Sequence, residues 1–152
     1  MHPFDIKAAF FAKHAQHVVL IHFPIALFIA GVVFDFLSQS TKRRALAEVA
    51  YYNLLGAAIT VLPVLATGLL AWQFQLEGQK LKGVLLMHLV LGFSSMLLIW
   101  IAWGLHARSR GEKQGLQTAP PIFRLALETV AMLIVGLTGH LGGFLSGVNG
   151  PN

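Results

Sequence analysis

GVLLMHLVLGFSSMLLIWIAWGL, residues 83–105, carries no charged side chain, and its one ionisable group is His88. At 1.5 Å of rise per residue, a helix of this length crosses the roughly 30 Å hydrocarbon core of a bilayer. Its apolar residues lie all round the helix instead of along one stripe, which rules out a helix lying on the surface of a soluble domain. Three further stretches read the same way, residues 17–37, 49–72 and 122–145. Each ends in polar or turn-forming residues: 38–44, 73–82, 106–121 and a Gly/Asn/Pro tail. The fold class is all-α, an integral membrane four-helix bundle running up and down, with residues 1–152 forming one membrane domain. Composition agrees: 56% of residues are hydrophobic and only 11% charged, against about a quarter charged in soluble domains.

Lys and Arg set the expected orientation. Lys42, Arg43 and Arg44 follow the first helix, and Arg108, Arg110, Lys113 and Arg124 surround the loop after the third. The opposite side has Lys7, Lys13, Lys80 and Lys82, partly offset by Asp5 and Glu77. The positive-inside rule then puts both termini on the outer, periplasmic side of a bacterial cytoplasmic (inner) membrane. The basic pI of about 10.0 reports topology and lipid contact, so the bilayer is the first partner and nucleic acid is not one. With no cysteine in the chain, thiolate-held clusters, covalent haem attachment and disulfides are excluded. Residues 1–16 do not read as a signal peptide; Phe4, Ile6, Phe10 and Phe11 interleaved with Lys7 and Lys13 fit either a short interfacial helix or an ordinary lead-in.

Three histidines stand inside three of these stretches, His22, His88 and His140. Each is five residues from the outer end of its helix, roughly 7.5 Å below that boundary. His17 sits a little over a turn above His22, His14 is higher, and the inner leaflet has only His106 at its rim. An ionisable group in hydrocarbon faces the bundle interior and pairs, relays protons or binds something. One such histidine is as readily a packing residue; three at one depth point to a site.

Small residues surround them. Gly92 and Ser95 share a stripe with His88, Gly136 shares one with His140, and Gly139 and Gly143 lie beside it. Such residues either let helices approach closely, as in Gly139-xxx-Gly143, or leave space for a flat macrocycle whose iron a histidine ligates. The second helix has no histidine but presents Gly56, Thr60, Pro63 and Thr67 at helical spacing. Pro24, two residues after His22, removes a backbone donor and loosens the first helix there.

His22-Phe-Pro-Ile-Ala-Leu, Thr138-Gly-His-Leu-Gly-Gly-Phe-Leu and His88-Leu-Val-Leu-Gly92 resemble the signature segments of a bacterial membrane family, domain of unknown function 2231. In that family a proline follows the histidine that stands five residues before the second one; here the pair is His17-Val18. The family's closing segment often carries a tyrosine and a further histidine, and residues 144–150 contain neither. The resemblance implies a small four-helix membrane protein, sometimes joined to or encoded beside redox domains such as Rieske iron-sulfur proteins. That context favours electron transfer over transport.

Three functions fit these residues. In the first, the bundle binds b-type haem (haem b) and passes electrons as a subunit of a membrane redox complex, in contact with quinone or quinol. His22 and His88, from diagonal helices of an up-down bundle, are the expected axial pair. His140 is a supporting or replacement ligand, His17 a further candidate, and Gly92, Gly136 and Gly139 make room. Lys13, Lys80 or Lys82 would meet the propionates. In the second, His22, His88 and His140 hold copper or zinc; Met87 is the one methionine near that depth. In the third, the chain is a structural or assembly subunit with no cofactor. Hydrolytic chemistry is not expected, because Asp35 and Glu128, the carboxylates within the helices, lie near the inner end. There they are expected to pair with Arg43, Arg44 or Arg124 at the surface, where ion pairs contribute little.

Overall fold

A computed structural model describes residues 15–111 and 122–147. The expected interfacial segment 1–16, apart from its last two residues, lies outside them, as do His14 and Lys113. The described chain is all helical: α1 (Ala15–Leu20), α2 (His22–Thr41), α3 (Arg44–Leu70), α4 (Gly83–Gly111) and α5 (Ile122–Leu145). α1 and α2 form one membrane-length span, and α3, α4 and α5 supply the other three.

The break between α1 and α2 follows from Pro24, which has no N–H to give the Leu20 carbonyl and whose ring crowds it. Helical bonding continues across the break from the Ile21 N–H to the His17 carbonyl at 3.0 Å. Lys42, in the left-handed region at φ 58°, ends α2, and α3 begins two residues later. So short a connection makes α2 and α3 antiparallel neighbours. α3 closes with a π-helical turn, Ala71–Gln75, and the following loop is tied back where the Trp72 indole N–H donates to the Gln79 carbonyl at 2.9 Å.

Several helices run further than residue polarity suggests. α2 continues to Thr41 instead of 37, α3 starts at Arg44 instead of 49, and α4 reaches Gly111 instead of 105. Ser40, Thr41 and Ser109 are accommodated in these extensions because their hydroxyls bond carbonyls one turn back within their own helices.

α2 packs most extensively on α3 and α4 on α5, while α3 on α4 and α5 on α2 close the ring. The first and third spans are therefore diagonal. The core runs through the middle: Phe28 and Val32 of α2, Leu54, Ala57, Ala58 and Val61 of α3, Ile99 and Ala102 of α4, Ala131 and Val135 of α5. In a bilayer such contacts stabilise by van der Waals packing, because lipid tails solvate apolar groups equally well. Small residues make it possible. A Cβ on Gly31 would lie 2.9 Å from the Leu54 side chain, so glycine lets α2 and α3 touch. The outer faces carry exposed Phe23, Ile59, Leu97 and Leu133, the surface expected to meet lipid.

Candidate functional site

The core separates two polar regions. At the end where α1 begins and α5 finishes, a cavity of about 320 Å³ opens between the helices, at the lower end of the range for ligand pockets. Its walls are almost wholly apolar, and its polar groups are few: His17, His22, His88, Ser95, Thr138 and Trp72 among them.

Two of these histidines are held by the backbone of a neighbouring helix. His17 Nδ1 lies 3.1 Å from the Val64 carbonyl and 3.3 Å from the Thr67 hydroxyl of α3. His88 Nδ1 lies 3.1 Å from the Thr138 carbonyl of α5. A carbonyl only accepts, so Nδ1 carries the hydrogen in each ring and Nε2 is the nitrogen with the lone pair. The two rings stand edge to face, with centres 6.3 Å apart and planes at 88°.

Glycine permits both placements. A Cβ on Gly68 would come within 2.9 Å of His17 Cε1, and one on Gly142 within 3.1 Å of His88 Cε1. Each imidazole thus lies against a helix whose surface has no side chain there. The Ser95 and Thr138 hydroxyls bond each other at 3.0 Å, fixing α4 to α5 about two turns along α4 from His88.

The structure distributes the expected residues unevenly. His88 and His17 come together across the cavity, and Gly92 and Gly139 line it. His22 also lines it but is exposed, its Nδ1 3.4 Å from the Val19 carbonyl of its own helix. His140 is exposed, stands outside the cavity lining and packs edge-on against Phe144 at 5.0 Å. Gly136 is exposed too, with open space where its Cβ would be. Equal depth does not place His22, His88 and His140 on one interior face, because the helical angle of each ring is set separately. Gly68 lies one residue beyond the stripe Gly56-Thr60-Pro63-Thr67 on α3, and Gly142 lies within the signature segment that starts at Thr138, with no site role expected of either from sequence.

The second region overturns an expectation. Asp35 and Glu128 are fully buried, and His106 is 5% exposed. His106 therefore belongs to the interior of the bundle, not to its rim. His106 Nε2 lies 2.9 Å from Asp35 Oδ2 and 2.8 Å from Glu128 Oε1. Arg124 Nη2 donates to both Asp35 oxygens, at 3.3 and 3.1 Å, and its Nη1 donates to the Ser109 hydroxyl at 3.3 Å. The pairing of Asp35 with Arg124 is as expected, but Arg44 pairs with Glu48 at 3.8 Å and Arg43 is exposed. The long helices extend past these residues and cover them, which a boundary drawn at the first polar residue misses. Asp35, His106, Arg124 and Glu128 thus stand at one level at the end of the bundle away from the cavity.

A family model described as "Predicted membrane protein (DUF2231)" matches residues 13–150. No curated protein and no solved structure matches the chain.

Proposed function

The chain belongs to the DUF2231 family of predicted membrane proteins, and from that premise we propose that it is a multi-pass b-type haem protein that carries electrons. The haem would be held by His17 and His88. The observation that carries this reading is the pair of imidazoles 6.3 Å apart across an apolar cavity, each with Nδ1 on a backbone carbonyl. A separation of 6.3 Å between ring centres would leave space for a metal ion between the two imidazoles. Donation of the second ring nitrogen to a carbonyl is how ligating histidines are oriented and made more basic.

When bound, haem iron supplies reversible one-electron exchange. The chain's own residues do the rest. Val64 and Thr138 carbonyls orient the ligands, Gly68 and Gly142 let the rings lie back against α3 and α5, and Gly92 and Gly139 limit the bulk of the walls. Apolar residues such as Ile25, Val61, Leu85 and Val135 exclude water from the cavity, which favours the less charged redox state. Lys80 and Lys82 flank Leu81, a lining residue, and would meet the propionates at the mouth. His22, exposed beside the same cavity, suits contact with a quinol or a partner better than ligation.

The Lys/Arg asymmetry supports an inner-membrane location with the cavity in the periplasmic half. There the protein would serve as a subunit of a redox complex.

A reduced-minus-oxidised absorption spectrum of the detergent-purified protein, with metal analysis of the same sample, tests this. A sharp alpha band of bis-histidine haem b is expected. Stoichiometric copper or zinc with a featureless spectrum would replace haem by a metal ion. Neither would leave a structural subunit.

A further inference from the structure

We propose that Asp35, His106 and Glu128 form a proton-binding site inside the bundle, in which one exchangeable proton is shared between His106 Nε2 and the Glu128 carboxyl. The site is independent of any cofactor at the other end.

Geometry begins the argument. One ring nitrogen is within 2.9 Å of two carboxyl oxygens from different helices. Nε2 either carries a hydrogen, which it donates, or a lone pair, which accepts one from a protonated carboxyl, so a single proton serves the Nε2–Oε1 contact from either side. Burial continues it. Glu128 is 0% exposed, and its Oε2 has no hydrogen-bond partner among the described residues. A full carboxylate left with an unmet oxygen away from water is costly; a neutral carboxyl is far less so.

Charge identifies the ligand. With Asp35 and Glu128 ionised, Arg124 positive and His106 protonated, the cluster is neutral. Moving the His106 proton to Glu128 leaves it neutral again. Removing that proton altogether leaves an excess negative charge in the bundle, and a divalent cation in its place leaves an excess positive one. A net charge in the membrane interior is what such sites avoid. One proton satisfies the cluster, and its two resting places differ by no net charge.

From α2, Ser38 Oγ donates to the Asp35 carbonyl at 2.9 Å and lies 3.4 Å from Asp35 Oδ1; from α4, half-buried Ser109 accepts from Arg124. From α3, Arg44 and Glu48 are occupied with each other, and Tyr51 and Tyr52 stack edge-on at 5.3 Å. From α5 come Arg124 and Glu128 themselves. Asp35 is six residues from the end of α2 at Thr41, about 9 Å of helix, whereas the apolar core stands between the cluster and the cavity. Exchange therefore runs to the water beyond the α2–α3 connection.

The full-length protein in lipid nanodiscs, labelled with carbon-13 in glutamate, provides the test. Infrared and solid-state NMR spectra of the carboxyls are recorded from acid to alkaline pH, in water and in deuterium oxide. Glu48, Glu77, Glu112 and Glu128 are the chain's only glutamates. We expect one of them to show a protonated-carboxyl signal at neutral pH that shifts in deuterium oxide, and Glu128→Gln to remove it. The wild-type spectra decide the matter even where that variant fails to fold. Four ionised glutamates at neutral pH would overturn the proposal. So would a protonated signal that never exchanges, or a divalent metal retained in stoichiometric amount and lost with Glu128→Gln.

Discussion

The two polar regions of this bundle use histidine in opposite ways. At the cavity end His17 and His88 each set one ring nitrogen on a helix carbonyl and line an apolar cavity. At the other end His106 sits between two carboxyls, with an arginine completing the charge, and helices close over the group. A site that receives a ligand keeps its polar atoms few and its walls small. A site that stores charge fills its own space with partners. The same side chain therefore says little until its second nitrogen and its surroundings are known.

The sharpest way to break this contrast is to remove the histidines one at a time. His17→Ala and His88→Ala should each abolish the bis-histidine haem signal in the reduced-minus-oxidised spectrum, while His106→Ala and His140→Ala should keep it in whatever protein folds. Retention of the signal in both of the first two variants would sink the assigned pair. Next in size, Asp35→Ala removes the buried carboxylate that Arg124 Nη2 hydrogen-bonds, leaving Glu128 at 3.8 Å from its Nε, and should destabilise the bundle by about 3–5 kcal/mol. Thermal unfolding in detergent measures this, and haem spectra of the surviving fold should be unchanged.

Glycine substitutions sharpen the cavity half of the comparison. Gly68→Ala and Gly142→Ala put a methyl 2.9 and 3.1 Å from the His17 and His88 rings, and the overpacking should cost about 1–3 kcal/mol. Weakened haem retention in a competition with an apo-haemoprotein is the readout. Gly136→Ala meets open space and should stabilise the helix by about 0.5–1 kcal/mol without touching haem retention. Equal effects at Gly136 and Gly142 would show that glycine serves the helices generally and not the rings. The smallest effect is expected from Ser95→Ala. It loses the hydroxyl pair with Thr138, and interhelical bonds of this kind contribute about 0.6 kcal/mol in membranes.

Much of the architecture was legible without coordinates, because a bilayer imposes length and polarity on any segment that crosses it. Residues 122–145 are helical over the span read from sequence, and residues 83–105 lie within α4. The break before α2 was legible in Pro24. The carboxylate cluster was less so, since treating the first polar residue as the end of a span hides anything polar that neighbouring helices bury. His140 shows the complementary error. Its depth was read from sequence, but its direction depends on how α5 is turned about its own axis, and that turn exposes it.

Four membrane-length helices, their antiparallel order, the absence of thiol chemistry and a concentration of histidines toward one end can all be read from the residues in order. These follow from composition, spacing and the cost of polar groups in hydrocarbon, all of which are local. Packing in three dimensions brings His17 and not His22 to His88, makes Gly68 and Gly142 the room for the two rings, and gathers Asp35, His106, Arg124 and Glu128 into one buried group. Each of these depends on the rotation and close approach of helices distant in sequence. In a membrane those are set by side-chain packing, because the lipid solvates every apolar face alike.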